Sequence, residues 1–112
     1  ITPEAYAEYL RCFSDSETIR ATCLDYRGIE LDLKHDDDDR GCKLTCPVLV
    51  LWGGNMAKRP GWQTGAKLNM LSVWRDRATN VRGKPLNCGH FLPEELPDET
   101  AAEILTFLAE HE

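Results

Sequence analysis

The sequence predicts an α/β fold with parallel strands, on two observations. A continuous apolar run from Pro47 to Trp52 stops at Gly53 and Gly54, which is typical of a strand buried on both faces of a parallel sheet. A helical segment, a second apolar strand and an amphipathic helix follow it, and this alternation is that of a parallel α/β unit. Two helices precede the unit, so the predicted order is helix, helix, loop, strand, helix, strand, helix.

Two helices are predicted before the first strand. Thr2 can cap a helix over residues 3–12 because its hydroxyl can accept a free N–H of the first turn. Ser14 opens the S-x-x-E pattern of a capping box, which predicts a second helix over about 15–27. Gly28 marks its expected end.

Residues 29–45 form an acidic connecting segment in the predicted organisation. Asp36 to Asp39 are four consecutive aspartates, which are too charged to pack and are expected in an exposed loop or a frayed helix end. The elements predicted after this segment are a strand over 47–52, a helix over 68–78, a strand over 81–88 and a last helix from Pro97.

The overall charge excludes two classes of partner. The chain has 19 acidic and 13 basic residues, a net charge of -6, and no stripe of Lys and Arg, so neither nucleic acid nor an anionic membrane is expected to bind. The longest apolar run is too short to cross a bilayer, and no signal peptide is recognisable. We therefore expect a soluble, cytoplasmic protein, and the initial Ile1 indicates that its start has been trimmed or left out.

The cysteines predict neither a disulfide framework nor a metal site. Their number, five, is odd, and they are spread along the chain, so reduced thiols are expected. Cys42 and Cys46 have the spacing of half a zinc site, but no second pair of ligands accompanies them.

Two parallel strands leave unpaired backbone groups at the sheet edges and uncovered apolar faces. We therefore expect either further strands from the remainder of the polypeptide or a homodimer formed through the sheet edge.

His90 is the candidate catalytic residue. In an open parallel sheet, functional groups gather beyond the carboxyl ends of the strands, and His90 lies two residues past the expected strand end at Cys88. Gly89 allows a sharp turn there. This is where a general base would be presented, although a surface-loop histidine without a task would show the same local pattern.

Four segments together resemble the C-terminal third of a haloacetate (fluoroacetate) dehalogenase of the α/β-hydrolase superfamily. They are LDYR at 24–27, the stretch at 32–40, CPVLVLWG at 46–53 and CGHFLPEELPDE at 88–99. The resemblance implies that residues 46–112 are the C-terminal part of the hydrolase core, with its last two parallel strands and flanking helices. Residues 1–28 would be the end of the helical cap region.

The resemblance also implies roles for two residues. In that family an aspartate displaces the halide of a small haloacid, and a histidine, matched here by His90, activates the water that hydrolyses the resulting ester; no cofactor is needed. Tyr26 matches a tyrosine that helps to hold the departing halide. Epoxide hydrolases place a proton-donating tyrosine in a similar setting, and Tyr26 could equally be a helix-face residue packing under the cap.

One departure bears on these alternatives. Epoxide hydrolases and many esterases carry the triad acid in a W-G-x-x-D pattern, whereas this chain reads Trp52-Gly53-Gly54-Asn55-Met56. Haloacetate dehalogenases carry their triad acid earlier in the sequence, before the cap, so its absence at this position is similar to their pattern. The chain has no G-x-S-x-G or G-x-D-x-G elbow, so alone it is expected to be inactive. The alternatives are an epoxide hydrolase or esterase of the same fold, or an acidic interaction module in which His90 is incidental.

Overall fold

A computed structural model describes residues 1–55 and 69–111. The chain forms two compact units, Ile1–Cys42 and Lys43–Glu112. The first contains the helices α1 (Pro3–Phe13), α2 (Ser16–Arg27) and α3 (Ile29–Asp38). The second contains β1 (Leu44–Gly53), α4 (Met70–Arg75), β2 (Ala78–Leu86), α5 (Leu92–Glu95) and α6 (Pro97–Ala109).

The first two helices are confirmed, with one correction to their caps. The Thr2 hydroxyl accepts the Ala5 N–H at 3.2 Å and caps α1. The second cap is Asp15 and not Ser14, because the Asp15 carboxylate accepts two amides at the start of α2, each at 2.9 Å. The Ser14 hydroxyl instead donates to the Leu10 carbonyl. A carboxylate with two amide partners satisfies more of the free N–H groups of a helix start than a single hydroxyl does.

The acidic segment contains a helix along much of its length. α3 runs through most of the aspartate run and ends at Asp38, with Asp39 as its C-cap. Its residues are exposed, and Asp37 pairs with Arg40 one turn later. The run is therefore the solvated end of a helix, which is the second of the two expected conformations.

β1 and β2 form a two-stranded parallel sheet within the described part of the chain. Their register runs from Leu44 opposite Ala78 to Gly53 opposite Leu86. It is irregular before Pro47, which has no N–H to donate to a ladder. Both predicted strands are confirmed, but β1 is buried only toward its carboxyl end, and its first residues are exposed.

The backbones of the two strands approach closely where β2 contains Gly83. A Cβ atom at that position would lie 1.8 Å from the Val50 carbonyl oxygen, and the residue has φ +157°. Only glycine fits such an approach without moving the backbone.

The last helix is confirmed, and charged pairs connect it to β2. Lys84 Nζ lies 2.7 Å from Glu103 Oε1, and Arg82 pairs with Glu110. The Arg82 guanidinium carbon also lies 4.9 Å from the centre of the Phe107 ring, within the range of a cation–π contact. α6 is thereby held along the strand that leads to His90.

Two other predictions had a different outcome. The helix before β2 is shorter than the predicted 68–78, since α4 covers only Met70–Arg75; Leu68 is outside the described residues. α5, over Leu92–Glu95, is a short helix that is not among the predicted elements, and it has Pro93 in its first turn. Proline is compatible with the first turn of a helix, because the N–H it lacks has no partner there.

Candidate functional site

His90 is exposed and follows the last residue of β2 by four positions, in the connection between β2 and α5. The strand end is Leu86 and not Cys88, so the connection is longer than expected. Since β1 and β2 are parallel and end opposite each other at Gly53 and Leu86, the segments after both strands leave from the same sheet edge. This is the edge at which open α/β sheets carry their ligands.

Backbone hydrogen bonds join these two segments. The Gly54 N–H donates to the Leu86 carbonyl at 2.8 Å, and the Asn55 N–H donates to the Cys88 carbonyl at 3.0 Å. The Asn55 side-chain amide also donates to the Asn87 side-chain oxygen at 3.2 Å. The segment after β1 therefore fixes the start of the connection that carries His90.

Gly53 allows the connection to approach the end of β1. A Cβ atom on Gly53 would lie 1.6 Å from the Gly89 carbonyl oxygen and 2.6 Å from its carbonyl carbon. Backbone atoms cannot turn aside as a flexible side chain can. Any side chain at position 53 would therefore displace the residue that precedes His90.

Glu95 binds the backbone on both sides of His90. Its Oε2 accepts the Gly89 N–H at 2.6 Å and its Oε1 accepts the Phe91 N–H at 3.1 Å. A Cβ atom on Gly89 would lie 2.8 Å from Oε1, so the glycine leaves room for the carboxylate. Sequence reasoning missed this role of Glu95; the available signal was a carboxylate five residues after the Gly-His dipeptide.

The imidazole of His90 lines an apolar groove of about 670 Å³. The ring lies edge-on to Phe91, with 5.1 Å between ring centres and an angle of 75°. The groove is bounded by side chains from β1, α5 and α6, which include Val48, Leu51, Leu92, Ile104, Phe107 and Leu108. Such a position combines an exposed ring with an apolar surface that a small organic molecule could contact.

Cys88, two residues before His90, is poorly suited to act as a nucleophile. It is buried, and burial, followed by the nearby charges of Glu95 and Glu99, raises the pKa of its thiol. The thiolate is the nucleophilic form of cysteine. Among the described residues at this edge, the exposed imidazole of His90 can accept a proton from water.

The other predicted site residue lies in the first unit. Tyr26 is on α2 and is 71% exposed, so it does not pack against the described part of that unit as a buried residue would. His90 belongs to the second unit, and a shared site for the two residues stays a prediction. Of the W-G-x-x-D comparison, Asn55 is described and Met56 lies outside the described residues.

Residues 1–55 and 69–111 contain no group of three or more His, Cys, Asp or Glu side chains that could hold a metal ion. All five cysteines are free thiols. In the same residues, no helix is long and apolar enough to cross a membrane.

The chain is similar to two curated proteins over nearly all of its length. It is 33% identical over 109 residues to a fluoroacetate dehalogenase from a Burkholderia species, which covers 96% of this chain and 34% of that protein. It is 35% identical over 113 residues to a soluble epoxide hydrolase from Corynebacterium sp. strain C12, and that match covers 95% of this chain and 34% of that protein. The chain thus spans about a third of the length of the curated relatives it matches.

A solved structure from Nostoc sp. PCC 7120, described as a candidate alpha/beta hydrolase, superimposes with a TM-score of 0.84 at 50% identity. The match covers 96% of this chain and 35% of that one. No protein family model matches the chain.

Proposed function

We propose that this chain, which has the C-terminal part of the α/β-hydrolase fold, belongs to a hydrolase that cleaves the carbon–halogen bond of short 2-haloacids. His90 would be its water-activating base. The observation that carries the proposal is the exposed His90 beyond the carboxyl ends of two parallel strands. Hydrogen bonds from the segment after β1 and to Glu95 of α5 hold the connection that carries it. Similarity to a fluoroacetate dehalogenase supports the substrate class.

The proposed reaction has two steps. An aspartate carboxylate from the remainder of the protein attacks the carbon that bears the halogen, an ester forms, and halide leaves. Water then attacks the ester carbonyl while the neutral imidazole of His90 accepts its proton. The products are the 2-hydroxyacid and the regenerated aspartate, and the proton leaves the imidazole to solvent. General-base catalysis of this kind contributes typically about 10²- to 10⁴-fold in rate.

Substitution of His90 tests the proposal because only the second step needs the base. In the complete hydrolase, His90→Asn should release about one halide per active site and then stall, since the nucleophile forms its ester unaided. Mass spectrometry should detect the carboxyalkyl group of the substrate bound to the protein as an ester. Continued turnover of haloacetate by this variant would remove His90 from the mechanism.

Tyr26 is the proposed partner of the departing halide. Its substitution by Phe removes a hydroxyl from an exposed site, so the fold should be preserved while the first step slows. The halide burst in rapid-mixing experiments measures that step directly. An unchanged burst rate would remove the Tyr26 hydroxyl from the halide-releasing step.

A second candidate, epoxide hydrolysis, is favoured by the comparable similarity to a soluble epoxide hydrolase. A carboxylate can also open an epoxide, and the product is again an ester. His90 would then activate the water that hydrolyses this ester. Parallel assays of the complete hydrolase with haloacetates and with small epoxides separate the two, because hydrolysis of an epoxide yields a diol and no halide.

A further inference from the structure

The carboxylate of Glu95 bridges the residues on either side of His90. Each oxygen accepts one backbone N–H, from Gly89 at 2.6 Å and from Phe91 at 3.1 Å. Hydrogen bonds from amides to an ionised acceptor are stronger than those between neutral groups. Two such bonds, one on each side of His90, restrict the backbone torsions that orient its side chain.

Glu95 is itself fixed by the structure it supports. Its own N–H donates to the Phe91 carbonyl at 2.9 Å, so the backbone of α5 and the side chain of Glu95 bind the same residue from two directions. This reciprocal pattern resembles a capping box, in which the cap and a glutamate in the first turn exchange hydrogen bonds. A cap alone, however, would not need the additional bond to Gly89, which lies before His90 and outside the helix.

We infer that Glu95 is a positioning residue for His90, holding the backbone of Gly89 and Phe91 so that the imidazole is presented at the sheet edge. The inference rests on the proposed function of His90 for its effect on catalysis. Small displacements of a reacting group can lower a rate by about 10²-fold. Loss of the carboxylate should therefore affect the base-dependent step and leave the halide-releasing step intact.

Glu95→Gln and Glu95→Ala test the inference in the complete hydrolase, with Glu99→Gln as the control. Glu99 contributes, as Glu95 does, to raising the pKa of Cys88, so the control removes the same charge from the same neighbourhood. Hydrogen–deuterium exchange resolved to single amides should be faster at Gly89 and Phe91 by about 10-fold or more in the Glu95 variants alone. Ester hydrolysis should slow by about 10- to 100-fold with an unchanged halide burst, more in the Ala variant because Gln retains one acceptor oxygen.

Three outcomes would overturn the inference: unchanged exchange at both amides, an equal decrease in both chemical steps, or the same effect in Glu99→Gln. If the unmodified hydrolase released no halide, the proposed function would fail, while the exchange experiment would still decide whether Glu95 holds the backbone around His90. Should the Glu95 variants fail to fold, Gly89→Ala provides the same test without a charge change. Its Cβ would lie 2.8 Å from Oε1 and would push the carboxylate away.

Discussion

Cys88 is the one buried cysteine among the five, all of which are described. The residue is 4% exposed, and burial raises the pKa of its thiol, assisted by the charges of Glu95 and Glu99. A raised pKa leaves a smaller fraction of the thiol as reactive thiolate. This smaller fraction and the burial of the residue both slow alkylation. Cys88 therefore differs in reactivity from the exposed Cys42 and Cys46, although all three have the same side chain.

Alkylation rates should show this difference. At pH 8, we expect iodoacetamide to modify Cys88 at least about 10-fold more slowly than Cys46. Because burial raises the pKa of Cys88, its rate should rise at a higher pH than that of an ordinary thiol. Peptide mass spectrometry measures the rates at both cysteines. In urea the two rates should converge. Equal rates in the native protein would contradict the burial of Cys88.

The site residues differ in how far their neighbours in the sequence reveal them. His90 was identified because a Gly-His pair after an apolar strand is a local pattern. Glu95 was missed because its partners are backbone amides, and every residue except proline offers one. The same reason explains the choice of Asp15 over Ser14 as a cap, since both side chains can accept an amide and only the geometry decides between them.

At the scale of elements, the end of β1 and the connection after β2 are interdependent. Gly53 ends β1 and lies against the backbone of Gly89. The described elements also show why boundaries were harder to predict than types: β2 ends at Leu86, yet its apolar pattern continues to the buried Cys88. The apolar pattern therefore placed the predicted end of the strand beyond the last residue that pairs with β1.

Gly53→Ala should disturb this junction. Its Cβ would lie 1.6 Å from the Gly89 carbonyl oxygen, so we expect the free energy of unfolding of the complete protein to fall by about 1–3 kcal/mol or more. Gly41→Ala is the matched control, since no atom lies within 4 Å of the Cβ position there. Denaturant titration compares the two variants, and equal stability would show that the connection can move away from β1.

At the scale of the whole molecule, the second unit has little enclosed interior. The buried apolar residues in the described parts are Val50, Ala78, Leu86 and Cys88. Many large apolar side chains are exposed in both units, among them Tyr6, Phe13, Leu24, Phe91 and Leu105. A sheet of two strands is marginal in water unless other elements cover it. The sequence predicted that two strands are too few, but it did not predict which surfaces of the helices would be exposed.

We therefore expect the 112-residue chain alone to unfold without a sharp cooperative transition. Calorimetry should show a broad heat-capacity change, and a dye such as ANS should bind the exposed apolar surface. Haloacetate should yield no halide, because the chain has the proposed base His90 but no recognisable nucleophile. A monomer with a sharp two-state transition would show that the two units are self-sufficient.

The parallel pairing of β1 with β2 also constrains the order of folding. Residue 44 must find residue 78 before the ladder can form, whereas each turn of α1 to α3 joins residues only a few positions apart. Contacts between distant residues form late because closing the intervening loop costs entropy before any contact compensates for it. The anchors of the His90 connection, at Gly54 and Asn55, exist only once the strands are in register. We therefore expect the imidazole to reach its place only after the strands have paired. A chain halted with its helices formed and its strands apart would have helical structure without the ordered connection that carries His90.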